Sequence, residues 1–239
     1  MFRFKQFTIH QDRTAMKVCT DACVLGAYAN VVDSPVRILD IGTGTGLLAL
    51  MAAQRNPEAL IDAVEIDDAA YSQARENVGA SPFAGRVRVI HSRIQNFQAT
   101  LSRQETRIYD QILTNPPFYT NHLRSPDAAV NRALHTDDLP FSELVESVIR
   151  LLKPAGEWWV LLPPYEAKKL ADSANESGLR PFRRLSIRHN SRKPIFRIIT
   201  GFSFGADTVV DETLNIHEED GRTYTAKFQT LLRDFYLIF

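Results

Sequence analysis

The sequence predicts an α/β fold, with a mostly parallel sheet of seven strands, helices on both faces and an antiparallel hairpin at one edge. Two observations carry this. Short apolar or β-branched runs recur at helix-length intervals along residues 36–162, and after Gly178 the texture changes to two alternating stretches around a turn.

The parallel strands are expected at 36–41 (VRILDI), 60–66 (LIDAVEI), 87–91, 108–113 and 157–162. Between them, 47–54, 69–78, 141–152 and 165–177 read as helices. In the third helix Leu144, Val145, Val148, Leu151 and Leu152 keep one apolar stripe, which Pro154 and Gly156 then stop. RRLSIRH and IFRIITGFSF flank the turn Asn190–Pro194, giving the antiparallel edge pair, and 224–236 reads as a closing helix. No internal repeat or low-complexity tract interrupts the 239 residues, 44% of them hydrophobic, so a single domain is expected.

Lys+Arg and Asp+Glu both number 28, so the whole chain has no net pull toward nucleic acid or an anionic membrane, and any such pull must be local. Cys19 and Cys23 stand four apart in an apolar stretch, where one helical face makes them neighbours and poor disulfide partners. A reduced, cytoplasmic protein without a metal is the expectation. The longest apolar run, WWVLL at 158–162, is far too short to span a membrane.

In LDIGTGTGLLAL, Gly42, Gly44 and Gly46 lie between a strand and a helix, where missing side chains let the backbone turn tightly and approach a small molecule. A dinucleotide fingerprint wants glycine at position 47, but Leu47 stands there, and Asp40 lies two residues upstream of the first glycine. Glu65 ends the second strand, at the separation from the loop where a carboxylate can accept ribose hydroxyls. The alternative is a tight turn plus an unrelated surface acid. The pattern from the loop to Pro164 resembles the Rossmann-like methyltransferases that use S-adenosylmethionine. That resemblance implies that Asp40 and the Gly42–Gly46 backbone hold the cationic methionine end and Glu65 the ribose. Ser92 stands where many relatives carry an acid against the adenine amino group.

At the end of the fourth strand, LTNPPFYT sets Asn115 before two prolines that fix φ and supply no N–H, so a rigid edge follows the strand. The Asn115 amide oxygen and the Pro116 carbonyl are two acceptors for the N–H bonds of a substrate amine, which they would hold in line for methyl transfer. Pro117 stiffens the edge, and Phe118 offers a face on which an extruded base can stack. The alternative makes NPP a strand terminator and Phe118 a core residue. NPP followed by Phe or Tyr resembles the amino-methylating branch of the class, which includes enzymes of adenine, cytosine and guanine and of a protein glutamine amide.

FTIHQDRTAMKVCTDACVLGAYA near the N-terminus and ALHTDDLPF at 133–141, together with this order of motifs, resemble the bacterial tRNA(Val) adenine-37 N6-methyltransferase family over most of the chain. The resemblance implies a cofactor-covering segment at 1–35, a cofactor and catalytic core at 36–164, and a basic hairpin with a C-terminal helix at 179–239. It implies that Lys17, Thr20 and Asp21 line the methionine side, although Thr20 or Asp21 also reads as a helix N-cap. Residues 119–138 form a long polar stretch with His122, Arg124, Arg132 and His135, suited to a lid. Residues 179–206 carry seven cations and no acid, and 207–220 reverse this with six acids. Arg183, Arg184, Arg188, Arg192 and Lys193 are therefore expected to meet RNA phosphates, the alternative being a solvated face partly neutralised by the acids. The implied partner is a tRNA bound by a monomer, with no DNA and no membrane. The rivals are a glutamine methyltransferase acting on a release factor, an rRNA guanine methyltransferase, and a cofactor-binding RNA chaperone without turnover.

Overall fold

The computed structural model describes residues 1–14, 16–30, 36–101, 106–116 and 139–239. Ten strands and seven helices are assigned among them. β1 (Phe2–Arg3) and β2 (Thr8–Ile9) form a small antiparallel ladder, followed by α1 (Thr20–Tyr28). Then come β3 (Arg37–Ile41), α2 (Leu47–Arg55), β4 (Leu60–Glu65), α3 (Asp68–Gly79), β5 (Val87–His91), α4 (Ile94–Thr100) and β6 (Tyr109–Thr114). After them follow α5 (Phe141–Leu151), β7 (Leu152–Leu162), α6 (Pro164–Glu176), β8 (Leu179–Arg188), β9 (Ile195–Phe204), β10 (Val210–Asn215) and α7 (Ala226–Leu232).

One sheet takes eight of these strands in the order β10-β8-β9-β7-β6-β3-β4-β5. β9 is antiparallel to both neighbours, and every other pairing is parallel. The run at 158–162 explains the two helical layers. Trp158, Val160 and Leu162 pack into one core with Val148 of α5 and Leu170 of α6, whereas Trp159 and Leu161 pack into the other with Val24 of α1, Leu50 of α2 and Phe228 of α7. A strand buried on both faces reads as continuously apolar, and helices must cover both sides.

The expected helices and strands are present with small shifts at their ends, and four expectations need correction. The sheet has eight strands and not seven, because the acidic stretch contributes β10. The β8–β9 hairpin is consequently not the edge. β10 covers it, pairing in parallel with β8 from Val210 opposite Arg183 to Asn215 opposite Arg188. VDETLN has only Leu214 buried, so no apolar alternation announced it, and its acids find arginines on the neighbouring strand. The strand expected from residue 157 begins at Leu152. Its pairing with β6 jumps from Leu152 opposite Tyr109 to Glu157 opposite Gln111, and this irregularity accommodates Pro154. The closing helix is shorter than 224–236. It spans Ala226–Leu232, started by the Thr225 hydroxyl accepting from the Phe228 N–H at 3.2 Å.

The chain leaves β3 toward β4 and β5 on one side, and β6 returns on the other. This strand-order reversal opens a crevice at the carboxyl ends of β3 and β6, where open α/β sheets bind ligands.

Candidate active site

Ile41 pairs with Val64 on one side and Thr114 on the other, so the residues that follow these three positions emerge side by side. They are Gly42, Glu65 and Asn115, and all three line one cavity. Thr114 is fully buried, and its hydroxyl accepts from the Trp158 indole N–H at 3.0 Å, which pins the strand end immediately before Asn115. Asn115 is half-buried and Pro116 buried on the cavity wall. Pro117 and Phe118 lie outside the described residues, as does the expected lid at 119–138.

The glycine loop has positive φ at Gly42 (71°), Gly44 (56°) and Gly46 (84°), backbone that a Cβ disfavours. A Cβ at Gly42 or Gly44 would have no heavy atom within 4 Å, so both glycines bare their backbone to open space. Gly46 instead faces inward to α3, with Ala74 and Val78 3.7 Å from the position of a Cβ. The loop is tied to its neighbours by the Gly42 and Thr43 N–H groups, which donate to the Val64 carbonyl at 2.9 and 3.0 Å.

Glu65 is 7% exposed and is held entirely by backbone. Its Oε2 accepts from the Gly44 N–H at 2.8 Å, and its Oε1 from the Ile66 and Asp67 N–H groups at 2.9 Å each. Burial raises its pKa, and these three bonds oppose the rise. A carboxylate offers about four lone-pair positions, so about one remains, on Oε2, for a ligand hydroxyl. Taking both hydroxyls of a ribose requires the Gly44 N–H to let go. Ser92 lies beside Glu65, its N–H donating to the Glu65 carbonyl at 2.9 Å, and its side chain hydrogen-bonds the Arg93 carbonyl.

Asp40 is fully buried and absent from the cavity wall. Its Oδ2 accepts from the Thr43 hydroxyl at 2.5 Å and the Ala49 N–H at 3.2 Å, tying the loop to the start of α2, while Oδ1 has no partner among the described residues. Burial pushes its carboxyl up to about 7. Lys17 lines the cavity, but Thr20 and Asp21 do not. The Thr20 hydroxyl hydrogen-bonds the Tyr236 phenol, and Asp21 forms an ion pair with Arg197 at 2.9 Å. Neither caps α1, whose N-cap is Cys19. Burial pushes both Cys19 and Cys23 up to about 12, so Cys19 meets the cavity as an apolar thiol.

Thr14, Met16 and Val18 form a further wall that motif reading missed. They arrive there because Asn77 of α3 clamps the N-terminal segment to the glycine loop. Its Nδ2 donates to the His10 carbonyl (2.8 Å) and the Thr45 carbonyl (2.9 Å), and its Oδ1 accepts from the His10 N–H (2.9 Å). Asn77 is only 1% exposed, and a polar residue standing among the apolar positions of a helix was the available signal.

The cations of the hairpin are largely engaged. Arg183 faces Glu212 (4.0 Å), Arg184 faces Asp211 (3.4 Å) and Arg192 faces Glu219 (2.6 Å). Arg188 donates to the Asn215 amide oxygen and the Ser191 carbonyl. Lys193 has no carboxylate partner among the described residues. The same residues contain no cluster of His, Cys, Asp and Glu side chains able to hold a metal, and no helix long and apolar enough to cross a membrane.

Comparison with known proteins bears directly on this arrangement. The Methyltransferase small domain family model matches residues 28–169. A "tRNA1(Val) (adenine(37)-N6)-methyltransferase" from Dyadobacter fermentans is 48% identical, covering 100% of this chain and 98% of its own. The chain belongs to this methyltransferase family. Equally named members from Tolumonas auensis and Christiangramia forsetii are 43% and 40% identical over 99% of the chain, covering 96% and 97% of their own. Among solved structures, a predicted O-methyltransferase from Agrobacterium tumefaciens superposes with a TM-score of 0.70 at 16% identity, over 90% of this chain and 96% of that one. The hMettl16 catalytic domain, solved in complex with the MAT2A 3'UTR hairpin 1, gives 0.60 at 19% identity over 87% and 77%. These two likenesses establish the methyltransferase fold of the family member described here.

Proposed function

We propose that the protein transfers a methyl group from S-adenosylmethionine to the N6 amino group of adenine-37 in tRNA1(Val). The observation that carries this reading is that the Asn115–Pro116 edge opens into the same cavity as the bare Gly42–Gly44 backbone and Glu65. Full-length relatives bearing that name support it.

The cavity fits the cofactor on its donor set. Glu65 keeps an acceptor position for a ribose hydroxyl, Gly42 and Gly44 leave room for close approach, and Asp40, whose Oδ1 has no partner among the described residues, lies behind the loop. A cationic ligand there would favour the ionised form of its carboxyl. Ser92 and the backbone after β5 would meet the adenine end, and Lys17, Thr14 and Met16 would close the methionine side.

Bound S-adenosylmethionine supplies a methyl group on positively charged sulfur. The remaining tasks fall to this chain. The adenine amine is a poor nucleophile because its lone pair is delocalised into the ring. Acceptance of its two N–H bonds by the Asn115 amide oxygen and the Pro116 carbonyl favours a pyramidal nitrogen and offsets the positive charge that develops on it. The extra proton then passes to solvent, so no strong base is required.

The test is transfer of labelled methyl from S-adenosylmethionine to unmodified total tRNA, followed by nuclease digestion and chromatography of the nucleosides. N6-methyladenosine in one tRNA species is expected. Label in a release-factor glutamine and not in tRNA would replace the reading, and label in neither would refute it.

A further inference from the structure

The hairpin tip between β8 and β9 carries a feature that its arginines obscure. His189, exposed just beyond β8, stacks on Phe196 of β9 with ring centroids 4.5 Å apart and planes within 5°. Phe196 in turn lies against the Arg197 guanidinium at 5.7 Å, and Arg197 pairs with Asp21 of α1 at 2.9 Å. α1 presents Cys19 and Ala22 to the active-site cavity. A series of contacts thus runs from Asp21 of α1 through Arg197 and Phe196 to the hairpin tip and ends in an imidazole. The His189 carbonyl is fixed by the His217 N–H at 2.8 Å. Among the described residues its ring makes no hydrogen bond, ion pair or ring contact besides the stack on Phe196, and His189 is exposed.

The strand register places this tip at the reactive edge of the sheet. Thr114 pairs with Val160, Leu162 with Ile198, and Ile195 with Arg188, so the end of β8 and the end of β6 lie on the same side. They are separated sideways by β7 and β9, about 14 Å at ~4.8 Å per strand, and the tip stands about five residues, or ~16 Å at ~3.3 Å per residue, further out along the strands.

We infer that the exposed ring of His189 is a stacking platform for an unpaired RNA base on the same side of the sheet as the target nucleotide, backed by Phe196 and Arg197. The inference rests on the proposed tRNA substrate and adds a contact to it. Glu219 pairs with Arg192, whereas Arg188 donates to the neutral Asn215 amide oxygen and Ser191 carbonyl, so Arg188 and Lys193 have no carboxylate partner among the described residues. A flat, supported ring adds to these cations a contact that phosphate pairing does not supply, and stacking on it tolerates any base.

His189→Ala and His189→Phe, compared with wild type, separate this from a merely structural imidazole that shields Phe196. For Ala, the KM for tRNA and the Kd for tRNA should rise about tenfold, the order expected for one lost base stack, with kcat and S-adenosylmethionine affinity unchanged. The Phe variant should restore wild-type values, and the loss in Ala should persist at high salt because stacking is not screened. Unchanged tRNA binding in His189→Ala overturns the inference, as does an equal loss in His189→Phe, or a fall in kcat and thermal stability together. The two readings fail separately. Wild-type protein that methylates tRNA with an indifferent His189 refutes the platform alone, and protein that binds tRNA through His189 without methylating it refutes the proposed function alone.

Discussion

At the cavity, Asp40 and Glu65 are buried and take their hydrogen bonds from backbone N–H groups and one threonine. At the β8–β10 edge, the acids of β10 and of the loop after it stand against arginines in the open. Burial raises the carboxyls of the first pair, whereas ion pairs and hydrogen bonds lower those of Glu212 and Glu219. Negative charge kept from cations and from water is an unspent capacity for a cationic ligand. Charge matched pairwise at a surface is already consumed in holding a strand in place. Arg183 and Arg184 of the cation-rich segment therefore serve strand pairing, while Glu65 lines the cavity and Asp40 lies beneath its loop.

The largest effect that would break this contrast lies at the cavity mouth. Asn115→Ala should lower kcat about 10²–10³-fold, with cofactor and tRNA affinities nearly intact, because the amide acts on charge that develops during transfer. Single-turnover kinetics beside equilibrium binding would check it, and an unchanged kcat would remove the amide from the chemistry. Glu65→Gln should weaken S-adenosylmethionine about 10–100-fold by calorimetry, the range for a lost charged hydrogen bond. A smaller loss would mean that the three backbone N–H groups, and not the ligand, are what this carboxylate serves.

Asp40 sharpens the contrast through pH. Its folded value of about 7 lies above its ordinary value of 3.8, so its protonated form favours the native state. The stability this contributes is complete below about 3.8 and is lost as pH rises through 7. The Tm difference between wild type and Asp40→Asn should therefore move in favour of the variant between pH 4 and pH 8, with the ligand-free protein; parallel profiles would refute it. The smallest effect belongs to the far edge. Glu219→Gln should free Arg192 and tighten tRNA about twofold at low salt, vanishing at high salt. A large gain would mean that the acids restrain an RNA site after all.

Much of the fold was legible because burial on both faces writes itself as apolar runs, as at Trp158–Leu162, and because glycines and prolines mark strand ends, as at Gly42 and Pro116. β10 was not legible, since its stabilising partners are arginines about 27 residues earlier and it buries only Leu214. The site was read in the same uneven way. Gly42, Gly44, Glu65, Ser92, Lys17 and Asn115 share the cavity, while Asp40 works beneath the loop and Thr20 and Asp21 face elsewhere.

The sequence by itself determined the alternating α/β order, the bare glycine turn, and the acceptor-bearing edge after β6, because each depends on local backbone chemistry within a few residues. Only the tertiary structure decided which acid lines the cavity and which acids meet an arginine, and which ring stands exposed at the hairpin tip. Those outcomes depend on strand register and on contacts between residues distant in the chain, such as Asn77 with His10 and Asp21 with Arg197.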